Sequence, residues 1–216
     1  MGRVGRVREA VDVIGYYADQ AGAGWATESL AGPVGGRNEL TYRGRGVFAA
    51  VSPWTFPLAI VTGQIAAPLA AGNTVVAKSA PQTPLVAAAA VDALRSAGMP
   101  PDVLTHLPDP DNTVGELLIR DSRVSGVVFT GSGDTAVTIN RALAARPPPI
   151  PLVIAATSGF NTLIADETAL PEQIVADTVR SAFASTGQRC SSTRLLCIPT
   201  QTASDVLPML AGAVEL

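Results

Sequence analysis

The sequence predicts an α/β fold built on a parallel, Rossmann-type sheet with helices on both faces. Short apolar runs alternate with helical patterns and are joined by short turns, as in successive β-α-β units. The run at residues 47–52 is continuously apolar, which indicates a strand buried on both faces. Of the 216 residues, 47% are hydrophobic and 15% are charged, so the chain can bury a substantial core.

The first segment, residues 1–46, is predicted to form one helix followed by a loop. Apolar residues recur at helical spacing between residues 4 and 20, and residues 21–46 are rich in glycine and arginine. The helix pattern begins almost at Met1 with no capping segment before it. We therefore expect the chain to start inside a larger protein.

Residues 47–155 are predicted to form the main sheet domain, because strand and helix patterns alternate throughout this segment. The expected strands are 47–52, 74–78, 103–107, 124–130 and 152–155, and the expected helices are 58–71, 84–97, 112–120 and 135–145.

Residues 156–216 are predicted to begin a second α/β domain. A short strand at 162–165, a helix at 172–184, a strand at 194–198 and a helix at 206–216 are expected. The chain ends within this last apolar helical pattern, with no polar tail. We therefore expect the second domain to be truncated.

Cys190 lies in a polar turn between a predicted helix and a predicted strand, where a ligand can reach it. The neighbouring Arg189 and nearby backbone N–H groups favour the thiolate form, which is the nucleophile. On these residues alone an inert thiol is the commoner case, so both interpretations stay open. The second cysteine, Cys197, sits within an apolar run and is predicted to be a core residue.

Composition excludes several classes of function. The net charge is -3 with no basic tail, which disfavours nucleic-acid binding. Two cysteines do not make a disulfide framework, and there is no signal peptide or membrane-length apolar run, so a cytoplasmic protein is expected. One histidine, His106, and two cysteines give no zinc site at familiar spacing. The expected partner is a small molecule.

Three loops follow predicted strands, at residues 52–55, 78–81 and 129–133, and ligands of doubly wound sheets bind at such carboxyl ends. The third loop opens a helix, whose N-terminal N–H groups suit a pyrophosphate. Neither GxGxxG nor GxxxxGK[ST] occurs in the chain. Each residue also has a plain structural alternative: a capping turn at 131–133, a packing role for Trp54, a solvated charge for Lys78 and a core position for His106.

Four motifs, taken in order and spacing, resemble the aldehyde dehydrogenase superfamily. They are Ser-Pro-Trp-Thr-Phe-Pro-Leu at 52–58, Ala-Gly-Asn-Thr-Val-Val-Ala-Lys at 71–78, Phe-Thr-Gly-Ser at 129–132 and Gly-Gln-Arg-Cys at 187–190. Within that superfamily, the residues in and around these motifs are most similar to the glutamate-semialdehyde (pyrroline-5-carboxylate) dehydrogenase part of bifunctional proline-utilisation enzymes.

The resemblance implies an NAD-dependent oxidation of an aldehyde, most simply L-glutamate γ-semialdehyde, through a thioester on Cys190. It makes residues 47–155 the NAD-binding domain and residues 156–216 the start of the catalytic domain. Homo-oligomers are expected of the full-length family. The implied cofactor-binding residues are Ser52, Pro53 and Trp54 in the cleft, Lys78 at the adenine ribose, and Gly131 and Ser132 at the pyrophosphate.

The chain departs from the family pattern at three implied site positions. Thr55 stands where the family has the Asn that helps to hold the oxyanion, and Ala156 stands where it has the Glu that serves as general base. Pro81 replaces a Glu that binds a ribose hydroxyl. These departures support a second hypothesis, in which the chain is a catalytically inactive domain of the same fold with a structural or interaction role.

Overall fold

The computed structural model describes residues 3–111 and 113–215. The chain divides into two compact units, Gly2–Thr157 and Ser158–Leu216, and each unit has its own hydrophobic cluster. This division falls two residues beyond the boundary expected at 155/156, and it groups residues 2–46 with the sheet. The predicted domain roles stay predictions.

The larger unit is an α/β layer structure, as predicted. Its helices are α1 (Arg3–Gly24), α2 (Pro57–Ala70), α3 (Pro84–Ser96), α4 (Thr113–Arg120) and α5 (Gly133–Ala144). Its strands are β1 (Glu28–Leu30), β2 (Asn38–Leu40), β3 (Val47–Val51), β4 (Thr74–Lys78), β5 (Leu104–His106), β6 (Val124–Gly131) and β7 (Leu152–Thr157).

The parallel sheet has the order β5-β4-β3-β6-β7. Consecutive residues of β3 face opposite sides, because side chains alternate along a strand. Ala50 packs with residues of α2 and α3, whereas Ala49 packs with residues of α5. Both are fully buried, which explains the continuous apolar run that predicted this strand.

The segment at residues 21–46, predicted as a loop, contains a short antiparallel pair. Strand β1 pairs with β2, with Glu28 opposite Leu40. All six strand residues are exposed, so no alternation of apolar and polar residues signalled them.

The sheet reverses its direction of growth between β3 and β6. From β3 the chain adds β4 and then β5 on one side, and it returns to place β6 against the other side of β3. Val51, at the end of β3, is in register with Lys78 of β4 and with Phe129 of β6. The loops after β3 and β6 therefore leave the same edge at a topological switch point, where ligands of such sheets bind.

The smaller unit contains β8 (Thr162–Ile164), α6 (Pro171–Phe183), a 3-10 turn (Ala184–Gly187), β9 (Leu195–Cys197) and α7 (Thr200–Val214). Strand β8 pairs in parallel with β9, and Ile174 and Val175 of α6 pack on Val206 of α7. The prediction that Cys197 is a core residue is wrong, because Cys197 is exposed in β9. A two-stranded sheet leaves one face of a short strand open, whatever its apolar content.

Candidate active site

The loop after β3 contains one inward-facing and one outward-facing predicted residue. Ser52 is buried, its backbone N–H donates to the Lys78 carbonyl at 3.0 Å, and its hydroxyl donates to Gln64 Oε1 at 2.6 Å. The Trp54 side chain is 44% exposed, while Pro53 and Thr55 are half-buried. Of the predicted cleft residues, Trp54 is thus the one that offers most of its surface to a ligand, and the packing alternative for Trp54 is not favoured.

Gln64 of α2 is a site residue that sequence analysis missed. Its amide nitrogen donates to the Val51 carbonyl at 3.2 Å and to Thr130 Oγ1 at 3.0 Å, while its oxygen accepts from Ser52. One buried amide therefore joins the carboxyl ends of β3 and β6 on the two sides of the switch point. A polar residue inside an otherwise apolar helix was the available signal, since buried polar groups need partners.

The turn after β6 opens α5. Ser132 is the N-cap of this helix, and its Oγ accepts a hydrogen bond from the Thr135 backbone N–H at 3.3 Å. A Cβ atom added to Gly131 would lie 2.5 Å from the ring of the buried Phe129, so any larger residue here would have to displace that ring. The capping alternative is thus present, and the same geometry leaves the positive end of the α5 dipole at the sheet edge.

Lys78 is not a solvated charge, so that alternative is wrong. Its side chain is 7% exposed, and Nζ lies 3.5 Å from Oδ2 of Asp109, whose side chain is 0% exposed. Asp109 also accepts hydrogen bonds from the backbone N–H groups of Gly115 at 2.9 Å and Val114 at 3.2 Å, in the first turns of α4.

The electrostatics of this pair favour the ionised carboxylate. Burial acts to raise the pKa of the Asp109 carboxyl, but the N–H groups of Gly115 and Val114 and the Lys78 ammonium outweigh it, so the pKa lies below its ordinary value. Sequence analysis missed Asp109, because it lies among prolines and aspartates of an ordinary-looking loop.

His106, at the end of β5, is half-buried and lies next to the chain after β4. Its Nε2 is 3.0 Å from the Ser79 hydroxyl. Burial, followed by the positive charge of Arg95, lowers the pKa of His106 below its ordinary value, and Asp92 acts in the opposite direction. The neutral imidazole is thus the favoured form near neutral pH.

Ala156 lines a largely apolar cavity of about 700 Å³ on the α2 side of the sheet. The cavity is walled by α1, α2, β6 and β7, and Gln64 and Thr130 also face it. Ala156 is exposed in β7 and is in register with Thr130. Its methyl group supplies no base to this cavity.

Cys190 is exposed in the smaller unit, on the loop that runs from the 3-10 turn to β9. Asn161, just before β8, organises this loop: its amide nitrogen donates to the carbonyl oxygens of Cys190 and, at 2.9 Å, of Ser192. Ser185 and Thr186, before the loop, have left-handed φ angles of 57° and 56°. The geometry makes the thiol reachable, and its catalytic role stays a prediction.

The residues at the switch point fit part of a dinucleotide. The start of α5 offers N–H groups and a positive dipole to a pyrophosphate, and the exposed Trp54 offers an aromatic surface. Lys78, at the end of β4, fits a dinucleotide less well, because its ammonium is already paired with Asp109.

Within residues 3–111 and 113–215, no group of three or more metal-ligating side chains occurs.

Comparison with known proteins identifies the family. The model of the "Aldehyde dehydrogenase family" matches residues 2–215. The chain belongs to the aldehyde dehydrogenase family. This confirms the resemblance that the four motifs carry, and with it an α/β fold of the same kind.

Several aldehyde dehydrogenase relatives are similar over nearly the whole chain. The chain is 48% identical over 215 residues to the bifunctional protein PutA of Escherichia coli (strain K12), covering 98% of this chain and 15% of that protein. It is 37% identical over 203 residues to 1-pyrroline-5-carboxylate dehydrogenase 1 of Halalkalibacterium halodurans, covering 92% of this chain and 39% of that protein. The chain therefore spans well under half of these relatives' length.

Solved structures agree with the fold. A crystal structure of a Bradyrhizobium japonicum proline utilization A variant matches with a TM-score of 0.92 and 50% identity, over 96% of this chain and 21% of that chain. An aldehyde dehydrogenase from Brucella melitensis biovar abortus 2308 matches with a TM-score of 0.90 and 27% identity, over 98% and 43% of the two chains. Among the described residues, no helix is long and apolar enough to cross a bilayer.

Proposed function

We propose that this chain forms the cofactor-binding and nucleophile-bearing part of an NAD-dependent dehydrogenase that oxidises L-glutamate γ-semialdehyde to glutamate in proline catabolism. The observation that carries the proposal is an exposed thiol at Cys190, in the Gly-Gln-Arg-Cys turn of an aldehyde dehydrogenase family member. The substrate class is supported by the similarity to PutA and to pyrroline-5-carboxylate dehydrogenase.

Cys190 would act as the nucleophile. Its thiolate sulfur adds to the aldehyde carbon, forming a C–S bond and placing negative charge on the former carbonyl oxygen. Thr55, at the position implied for the oxyanion donor, offers a hydroxyl in place of an amide. Loss of the C–H hydride gives a thioester on Cys190, and attack by water then releases the acid and restores the thiol.

NAD, when bound, supplies the acceptor for that hydride. Its pyrophosphate would be held by the N–H groups at the start of α5 beside Gly131 and Ser132, with Trp54 and Pro53 forming the neighbouring wall. Ser52 is buried and would hold this loop in place through its hydrogen bond to Gln64. A related fold supports this choice: the crystal structure of PnpE in complex with nicotinamide adenine dinucleotide matches with a TM-score of 0.89 and 25% identity, over 96% of this chain and 42% of that chain.

A second candidate is a domain that forms the thioester but does not turn over. Ala156 places a methyl group where the family places its general base, and an alanine cannot accept a proton from water. Pro81 and Thr55 replace two further polar contacts. On this proposal the chain is acylated once at Cys190 and then serves a structural or interaction role. Homo-oligomer formation and a cytoplasmic location stay predictions.

The experiment is a single-turnover measurement on the 216-residue chain with the semialdehyde and NAD. NADH is followed by absorbance, and the protein adduct is followed by intact-mass spectrometry. We expect at most one NADH per chain and one acyl group at Cys190. Cys190→Ala should abolish both signals, while Cys197→Ala, which removes the other exposed thiol, should leave them unchanged.

The outcomes separate the two candidates. Steady production of NADH beyond one equivalent would reject the inactive alternative. An adduct that survives Cys190→Ala would reject Cys190 as the nucleophile and with it the proposed chemistry.

A further inference from the structure

In a dinucleotide-binding sheet, the adenine ribose is bound near the end of the second strand. An acidic residue near that point bonds the 2′-hydroxyl of NAD, whereas a cation accommodates the 2′-phosphate of NADP. Here β3 is the first strand and β4 the second, and β4 ends at Lys78, the only lysine in the chain. Taken alone, a lysine at this position would favour NADP.

The structure shows that this lysine is already committed. Its ammonium is buried against the Asp109 carboxylate at 3.5 Å, and Asp109 is fixed in turn by the N–H groups of Val114 and Gly115. Lys78 points to the side of the sheet opposite Ala77, whose neighbours are residues of α2 and α3. The pair therefore lies under the start of α4, and its charges compensate each other.

We propose that Asp109 is a specificity-determining residue that withholds Lys78 from a 2′-phosphate and so makes the site select NAD over NADP. The inference rests on the proposed function, because it takes the switch-point crevice as the dinucleotide site. If Lys78 turned toward a 2′-phosphate, Asp109 would remain as a buried charge without its cation, which is strongly unfavourable. The 2′-hydroxyl of NAD needs no cation and imposes no such cost.

The test compares NAD and NADP affinities of the wild-type chain, Asp109→Asn and the double variant Lys78→Met/Asp109→Asn by titration calorimetry. Asparagine keeps the size and removes the charge, and its one oxygen can still accept from one of the two α4 N–H groups. We expect Asp109→Asn to improve NADP binding relative to NAD by about tenfold or more, because it removes the carboxylate that neutralises the Lys78 ammonium. In the double variant the affinity ratio should return to within about twofold of the wild-type value.

Other results would overturn the inference. An unchanged ratio in Asp109→Asn, or a gain that persists without Lys78, refutes it while leaving NAD binding intact. If neither nucleotide binds the wild type or any variant at millimolar concentration, both this inference and the cofactor part of the proposed function fail. Asp121→Asn is the matched control, because it removes a carboxylate from an exposed ion pair with Arg123; its ratio should equal that of the wild type.

A second measurement needs no variant and so does not depend on the stability of Asp109→Asn. Because Lys78 is the only lysine, peptide mass mapping after acetylation reports its reactivity separately from that of the chain's α-amino group, which lies in a different peptide. We expect Lys78 in the folded chain to be acetylated at least about tenfold more slowly than in urea, and equally slowly with NADP present. Equal rates in the folded and unfolded chains would show that Lys78 is not withheld.

Discussion

The side-chain amide of Gln64 donates a hydrogen bond to Thr130 Oγ1 at 3.0 Å and thereby joins α2 to the carboxyl end of β6. The same side chain bonds the Val51 carbonyl and the Ser52 hydroxyl at the end of β3. One uncharged side chain therefore positions the two loops that flank the switch point.

Replacing Gln64 by leucine should destabilise the larger unit by about 2–3 kcal/mol. The substitution keeps the approximate volume but leaves the Ser52 hydroxyl, the Thr130 hydroxyl and the Val51 carbonyl short of partners in a buried region. Urea unfolding followed by circular dichroism measures the change. Gln82→Leu, the same change at an exposed turn, should shift stability by less than about 0.5 kcal/mol. Equal effects of the two substitutions would contradict the proposed role of Gln64.

The two glycines on either side of Ser132, at the end of β6 and the start of α5, should respond differently to alanine. Gly131→Ala would place Cβ 2.5 Å from the Phe129 ring and should cost about 1–3 kcal/mol. Gly133→Ala meets nothing within 4 Å and should be neutral or stabilise α5 by up to about 1 kcal/mol. Thermal unfolding of the two variants tests this, and a Gly131→Ala protein as stable as Gly133→Ala would refute the close packing of Phe129.

The stability of the wild-type chain should fall as pH decreases below about 6.5, the ordinary pKa of histidine. His106 has a lowered pKa in the folded state, so below that pH the unfolded chain takes up the proton first and is favoured. His106→Gln should remove this part of the pH dependence between about pH 7 and 5. Because His106 is the only histidine, its NMR titration gives the pKa directly, and a value at or above 6.5 would contradict the prediction.

A second loss of stability is expected in acid from Asp109. Its pKa is depressed in the folded state, so the stabilisation is fully present above its ordinary value of 3.8 and is lost as pH falls through the lower folded value. The double variant Lys78→Met/Asp109→Asn should show a flatter dependence of unfolding free energy on pH below about 4. Asp121→Asn is not a suitable control here, because the pKa of Asp121 is also lowered by Arg123. The control is Glu116→Gln, which changes an exposed residue of α4. A wild-type curve that matches the double variant would show that the buried pair does not respond to acid.

Ala156→Glu should convert a single burst of NADH into continued turnover, if deacylation is the lost step. General-base catalysis of this kind contributes on the order of 10²-fold or more. The measurement is the hydrolysis rate of the acyl group on Cys190, followed by intact mass. Ala156→Gln is the matched control, since glutamine has the same shape but cannot take the proton. An equal rate in both variants would indicate that residue 156 does not act as a base.

The order and type of the sheet elements followed from the sequence, because the strands of a parallel sheet are apolar runs and their turns contain glycine and proline. Strand β4 was predicted at its observed bounds for that reason. The exposed strands β1 and β2 were missed, because three exposed residues carry no periodic signal.

Candidate site residues could be proposed from the sequence where they belong to a motif. Those whose role depends on a contact with a residue distant in the sequence could not. Trp54, Ser132 and Cys190 stand in recognisable motifs. The partnership of Lys78 with Asp109 depends on a contact between residues 31 positions apart, with the α4 N-terminus as a third participant, and composition around Asp109 gives no sign of it. Gln64 is an intermediate case. A glutamine within an apolar helix indicates a buried side chain that needs hydrogen-bond partners, but the sequence does not identify those partners.

Strand β7 is the last strand on its side of the described parallel sheet, and its Ile154 side chain is 51% exposed. A row of backbone donors and acceptors beside branched apolar side chains is a ready template for strand addition. At high protein concentration, two copies of the chain should therefore associate through the β7 edge. Ile154→Lys should prevent this association, because it places a charge on the exposed edge strand.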